Sequence, residues 1–215
     1  MKVGIIGTGD VGRAVGRGLI RYGHEALMGS RSATNEKAVA WAREQGPKAR
    51  VGTFADAAAF GDVILLATLW TGTKNALDLA GGAKALAGKI VMDATNPLDF
   101  SQGMPPRLAL GHTDSAGEQV QRWLPDAKVV KVFNTAGNAH MVDPQFPGGP
   151  PDMFICGNDA DAKATVSEIC RQFGWPVIDI GGIEGSRLLE PLCILWVVYG
   201  MKTNGWNHAF KMLRK

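Results

Sequence analysis

The sequence predicts an α/β protein, a doubly wound parallel sheet with helices on both faces and a small C-terminal α/β unit. Three observations carry that expectation. Short runs rich in Val and Ile alternate with stretches of helical periodicity, the pattern of strands joined by crossover helices. A glycine-rich turn, Gly7-Thr8-Gly9-Asp10-Val11-Gly12, stands directly after the first such run. A Pro/Gly cluster between Pro144 and Pro151 then interrupts the alternation, because it sustains neither helix nor central strand.

In chain order, strands are expected near Lys2 to Ile6, Glu25 to Gly29, Val51, Val63 to Ala67, Ile90 to Ala94 and Val129 to Phe133, with helices between them. The Pro/Gly cluster sets a boundary, giving a domain of residues 1–145 and a smaller one of residues 146–215. Within the second, a strand is expected over Met153 to Cys156, a helix over Asp159 to Phe173, a strand over Val177 to Ile180 and a helix from Ser186 onward, which Pro191 should start or bend. In that last helix Leu188, Leu192 and Leu195 form one stripe, and Leu189, Cys193 and Trp196 the adjoining one. A helix apolar on more than one side packs under its own domain or against a twin subunit; a homodimer through this helix is the expectation, and the Trp stripe reads as packing. Upstream, Thr113 to Glu118 reads as a helix start, with Asp114 or Ser115 as cap and Glu118 completing a capping box.

The bulk composition narrows the function classes. A chain of 215 residues suits one sizeable core or a nucleotide domain with a small appendage. Its 23 basic and 20 acidic residues leave a net charge of +3, far from the basic stripe of a nucleic-acid binder. Cys156, Cys170 and Cys193 are an odd set without metal-ligand spacing, and read as free buried thiols in a reducing cytoplasm. The chain enters a strand straight from Met1-Lys2-Val3-Gly4, with no export leader, so a cytoplasmic location is expected. The longest apolar run, Leu192 to Tyr199, is about half of what a bilayer crossing needs, which argues against a membrane partner.

The glycine turn is the strongest functional signal, because it follows the apolar strand Val3-Gly4-Ile5-Ile6 and opens a helix. This is the dinucleotide fingerprint of a Rossmann fold: Gly7 permits the tight turn, Gly9 lets the backbone approach a pyrophosphate, and Gly12 lets helix and strand pack closely. The free amides of the helix start, around Thr8, Asp10 and Val11, face the anion. At the end of the second strand an acid would bond the ribose 2′-hydroxyl of NAD. Here the chain reads Gly29-Ser30-Arg31-Ser32 instead, with no acid. Arg31 offers a planar fork to a 2′-phosphate, Ser30 and Ser32 offer hydroxyls and Lys37 adds charge, so NADP(H) is expected over NAD(H). Ser32 could equally serve as the N-cap of the next helix.

Two more strand ends face the same crevice. Thr68, Leu69 and Trp70 follow the fourth strand, and Asn96, Pro97 and Leu98 follow the fifth, so both groups are expected at the nicotinamide end. Trp70 could flank the ligand or pack against its own helix. Asn96 is held extended by Pro97, which gives its amide a set direction. No Tyr-x-x-x-Lys pair, no paired carboxylates after strand ends and no metal-binding His cluster is present. His140 is a weak candidate acid for a ketone or imine substrate, with His112 weaker still; His24 and His208 look structural.

These residues resemble a known family, the deazaflavin (factor 420)-dependent NADP oxidoreductases with their bacterial relatives and the reductase domain of six-transmembrane metalloreductases. The resemblance covers nearly the whole chain. It rests on the Gly7 to Gly12 turn, His24-Glu25 leading to Gly29-Ser30-Arg31, Trp70, Asn96-Pro97-Leu98, Phe133-Asn134-Thr135 and Ser186-Arg187-Leu188-Leu189-Glu190. It implies that Thr8, Gly9, Asp10 and Val11 hold the pyrophosphate, that Ser30 and Arg31 hold the 2′-phosphate, and that Asn96 lies near the nicotinamide ribose. It further implies a second pocket, formed by Asn134, Thr135, Ala136 and Gly137 with Pro97 and Leu98, for a deazaflavin or flavin co-substrate. It also implies that the helix after Ser115 lies on the solvent side, opposite the ligand. The archaeal members carry a bulkier turn than Ala136-Gly137, which leaves open which ring is the partner. The competing readings are an NADPH-dependent reductase of a small imine or ketone, and a dinucleotide sensor that never turns over.

Overall fold

The structure is a computed structural model that describes residues 1–215. In chain order its first half runs β1 (Lys2–Ile6), α1 (Asp10–Arg21), β2 (Glu25–Ser30), α2 (Glu36–Gln45), β3 (Ala49–Thr53), α3 (Phe54–Phe60), β4 (Val63–Leu66), α4 (Trp70–Leu79), α5 (Gly82–Leu86) and β5 (Ile90–Asp93). A two-stranded hairpin follows, β6 (Leu98–Asp99) and β7 (Arg107–Leu108), then α6 (Ala116–Trp123) and β8 (Lys128–Lys131). The remainder is β9 (Met153–Gly157), α7 (Ala160–Gln172), β10 (Val177–Asp179) and α8 (Ser186–Thr203).

The main sheet has eight strands in the order β10-β9-β8-β5-β4-β1-β2-β3. All pairings from β3 across to β8 are parallel, which gives the expected doubly wound arrangement. Its order reverses between β1 and β4, and the carboxyl ends there open a crevice. The strands are near-continuous apolar runs because both faces are covered: Val3, Ile5, Leu65 and Val130 pack on one side, and Ile6, Ile64, Leu66 and Val91 on the other.

The residues expected as a separate unit, 146–215, add to this same sheet. β9 pairs antiparallel with β8, through Val130 opposite Gly157, and β10 pairs parallel with β9. The Pro/Gly loop reverses the chain direction rather than dividing it. Met153, Ile155, Ile169 and Phe173 belong to one buried cluster with Val3 and Val130, while Phe154, Cys156, Ile178 and Leu189 form a small cluster of their own. Pro191 lies inside α8 and does not start it. The segment after Asn96 carries the small β6–β7 hairpin. No helix is long and apolar enough to cross a membrane.

Candidate functional site

A cavity of about 940 Å³ runs along the crevice, from the turn after β1 to α8. Its first wall is the glycine turn. Gly7 sits at φ 128°, where a side chain is strained, and a Cβ there would come within 2.3 Å of the Ala67 carbonyl oxygen. Gly12 lies against the Gly7 carbonyl, 2.6 Å from where its Cβ would be, so α1 approaches β1 more closely than any other residue would allow. A Cβ on Gly9 would meet nothing within 4 Å. That open space, in front of the unpaired first amides of α1, fits a pyrophosphate. Thr8, Asp10 and Val11 line it, and Arg13 pairs with Asp10.

Ser30, Arg31, Ser32 and Asn35 form the far wall of the same end. The Ser30 hydroxyl donates to the Ser32 carbonyl at 2.5 Å and accepts from the Ser32 N–H at 3.1 Å, which closes the turn. Arg31 is exposed and takes part in no ion pair of the structure. This turn carries no acid, and a 2′-phosphate fits beside an uncommitted guanidinium. The cap of α2 is Asn35, whose side chain accepts from the Ala38 N–H at 3.1 Å; Ser32, weighed for that role, instead bonds Thr34. Lys37 is exposed on α2 and does not line the cavity.

At the other end, Thr68 and Leu69 face the cavity and Trp70 does not. Trp70 stacks on Trp123 of α6, with ring centroids 5.4 Å apart, and packs on the core between α4 and α6. It turns away because it is the first residue of α4, whose inner face is set by Thr73, Ala76 and Leu77. Asn96 and Leu98 line the crevice, whereas Pro97 does not. The Asn96 Nδ2 donates to the Asn134 carbonyl at 2.9 Å, and the Asn134 Nδ2 returns a bond to the Asn96 Oδ1 at 3.0 Å. Asn134 also donates to the Leu189 carbonyl at 2.9 Å. The turn that presents Asn134 contains Phe133 in the left-handed region, φ 60°, an uncommon state for a bulky residue. Thr135 is buried and does not line the cavity; Ala136 and Gly137 do.

Sequence reasoning missed the wall supplied by α8. Cys193, Trp196 and Val197 close this end, so the Trp stripe read as packing contributes one face of the cavity. Trp196 lies against Gly137, where a Cβ would come within 2.8 Å of its ring. The chain's last segment holds the ring in place: the Trp196 Nε1–H donates to the His208 carbonyl at 2.9 Å, and the His208 ring stacks at 4.7 Å. Nothing local in the sequence signals this, because the contact joins α8 to a turn some sixty residues earlier.

His140 does not reach the cavity. Its Nε2 meets Asn207 at 3.1 Å and its ring leans on Phe146, so it is placed by the tail rather than by a substrate. His112 is exposed and lines a separate cavity of about 640 Å³ beside Arg187 and Leu188. The ionisable groups of the crevice are Asp10 and Arg31 at the phosphate end, and Cys193, whose thiol burial pushes up to about 12. The α6 start behaves as a cap: Ser115 accepts from the Glu118 N–H at 3.2 Å. Its first turn is buried at Ser115, Ala116 and Gly117, Arg122 is exposed, and no residue of α6 lines the crevice.

Comparison with known proteins gives the family and the fold. A protein-family model described as NADP oxidoreductase, coenzyme F420-dependent, matches residues 2–97. An F420-dependent NADP reductase of Methanocaldococcus jannaschii is 31% identical over 212 residues, covering 94% of this chain and 93% of that protein. The metalloreductase STEAP3 of Rattus norvegicus is 30% identical over 191 residues, 89% of this chain, and this chain spans 36% of its length. A crystal structure of a putative F420-dependent NADP-reductase from Arthrobacter sp. FB24 superposes with a TM-score of 0.94 at 42% identity, covering 100% of both chains. A reductive aminase from Aspergillus terreus shares the fold alone, with a TM-score of 0.66 at 22% identity over 94% of this chain and 62% of that one. The chain belongs to the coenzyme F420-dependent family of NADP oxidoreductases.

Proposed function

We propose that this protein passes hydride between NADPH and a deazaflavin or flavin ring bound in the same crevice. The observation that carries this reading is the chemistry of the cavity wall: past Arg31 and Asp10 its one ionisable group is the Cys193 thiol, pushed up to about 12, and its other donors are amides and hydroxyls such as those of Thr68 and Thr71. A ketone or imine needs a proton delivered with the hydride, so its reductase needs a poised acid. A ring acceptor needs positioning instead.

The nicotinamide ring, when bound, supplies the hydride. The chain's residues hold and orient. Amides from Gly9 to Gly12 hold the pyrophosphate, Arg31 holds the 2′-phosphate with Ser30 and Ser32 shaping its turn, and the Asn96–Asn134 pair marks the nicotinamide end. Leu98, Ala136, Gly137 and Trp196 line this end of the cavity, and the flat ring would lie against them. The continuation of the cavity past Asn96 also speaks against a sensor with a blocked nicotinamide face. The test is anaerobic stopped-flow mixing with NADPH and, in turn, the deazaflavin cofactor, FMN and FAD. Rapid NADPH oxidation by one of these rings supports the reading; tight NADPH binding with oxidation by none removes it.

We further propose that the solvent face of α8 meets a second copy. Leu188, Leu195 and Tyr199 are 69%, 56% and 52% exposed along it, an unusual concentration on one helix. Leu195→Lys should convert a dimer to a monomer in light scattering after gel filtration; an unchanged mass, or a wild type that is already monomeric, removes the assignment.

A further inference from the structure

Beneath the crevice lie three charged side chains with no access to water. Lys131 ends β8, Asp93 ends β5 and Glu190 comes from α8; they are 0%, 0% and 1% exposed. The Lys131 ammonium donates to the Thr95 carbonyl at 2.8 Å and forms ion pairs with the Asp93 carboxylate at 2.7 Å and the Glu190 carboxylate at 3.0 Å. Burial alone would lower its pKa, but the two carboxylates outweigh that and hold it charged. Asp93 accepts from the Thr95 N–H at 2.9 Å and from the Thr95 hydroxyl at 2.7 Å. Glu190 accepts the N–H groups of Ala116 and Gly117, at 2.9 and 3.0 Å, at the start of α6.

A buried ionic cluster is weak as a source of stability, because a packed apolar set of equal volume generally does as well. What an apolar set could not do is fix the backbone at Thr95 from both its N–H and its carbonyl. Thr95 is the residue before Asn96, and Glu190 is the residue after Leu189, whose carbonyl takes the Asn134 amide. The same cluster therefore anchors both supports of the Asn96–Asn134 pair. We propose that Lys131, Asp93 and Glu190 are positioning residues that set this pair, and through it the nicotinamide end of the crevice, for hydride transfer. The proposal rests on the reading of the crevice as an NADP(H) site.

The test is a mutant cycle joining Glu190→Gln, which keeps the side-chain volume, to Asn96→Ala, with Lys131→Met as a more severe variant. Single-turnover hydride transfer is measured well below each variant's unfolding temperature, together with the NADPH Kd. The expected result is a fall of about tenfold or more in the transfer rate with the Kd nearly unchanged, because small misplacements at the reacting end cost rate rather than phosphate binding. Asn96→Ala should then add less to Glu190→Gln than it does to the wild type. An unchanged rate in folded Glu190→Gln, or losses that multiply in full, would overturn the proposal. Hydrogen exchange of the ligand-free chain gives a readout that survives if no ring acceptor works or if Lys131→Met does not fold. In Glu190→Gln, faster exchange at residues 94–98 and 133–137, besides the Ala116 and Gly117 amides that Glu190 itself holds, supports the positioning role, whereas an equal rise across the sheet would mean the cluster is only structural.

Discussion

The two ends of the crevice are built in opposite ways. The phosphate end is backbone and open space: a glycine turn, free amides and an exposed Arg31 with no ion-pair partner. The nicotinamide end is a rigid stack, with the Asn96–Asn134 pair bonded to itself and to Leu189, above three buried charges. On the proposed reading one end takes its charge partner from the nucleotide, and the other has satisfied its charges internally. Affinity should therefore reside mainly at the first end and geometry at the second.

Substitutions can break this contrast. The largest expected effect is on stability at the nicotinamide end: Lys131→Met leaves two buried carboxylates unpaired and should cost about 3–5 kcal/mol in denaturant unfolding. A loss below about 1 kcal/mol would mean that water reaches the cluster, since such small values belong to exposed pairs. Next in size is Arg31→Ala, which should weaken NADPH about 10- to 100-fold in a fluorescence titration and leave NADH unaffected, because one charge-assisted contact to the 2′-phosphate is removed. Equal weakening of both nucleotides would contradict the assignment.

Trp70→Ala separates packing from binding at the site's edge. With Trp70 stacked on Trp123, the change should lower stability by about 1–3 kcal/mol, less than for a fully buried ring, and leave the NADPH Kd unaltered. A large change in Kd would put Trp70 back at the ligand. The smallest effect concerns Glu118, whose hydrogen bond from Arg187 holds its carboxyl below the usual Glu range. A depressed acid contributes stability above its unfolded pKa and loses it as pH falls through the folded one. Glu118→Gln should thus flatten the acid side of the stability profile, below about pH 4.5, by no more than about 1 kcal/mol, since Arg187 is partly exposed. An unchanged slope would mean that the bridge contributes nothing.

The same contrast explains what could be read from the chain alone. The positions of the glycine turn and of Gly29-Ser30-Arg31-Ser32, at the ends of β1 and β2 and along the cavity, were legible because each follows a strand in a known local context. The parallel order of the sheet followed from alternating strand and helix patterns. The buried cluster was not legible: Asp93, Lys131 and Glu190 are far apart in the chain, and each looks in isolation like a strand-end or helix-surface charge. For a related reason the two readings of Trp70 stayed open, and Trp196, read as packing, lines the crevice. A tryptophan at a helix start and one in an apolar helix carry no local sign of which face meets the crevice. The direction of β9 was hidden too, since a Pro/Gly loop can as readily end a domain as reverse a strand.

The central claim is that the crevice moves hydride directly from nicotinamide to a ring, with no protein acid between. It is tested most directly with NADPH deuterated at one face of C4 and a deazaflavin acceptor, whose reduced ring holds the incoming hydride on carbon. The account predicts one deuterium in the reduced deazaflavin, found by mass spectrometry, from one face only. Reduced deazaflavin without deuterium from either face would contradict it, as would no oxidation of NADPH by deazaflavin, FMN or FAD.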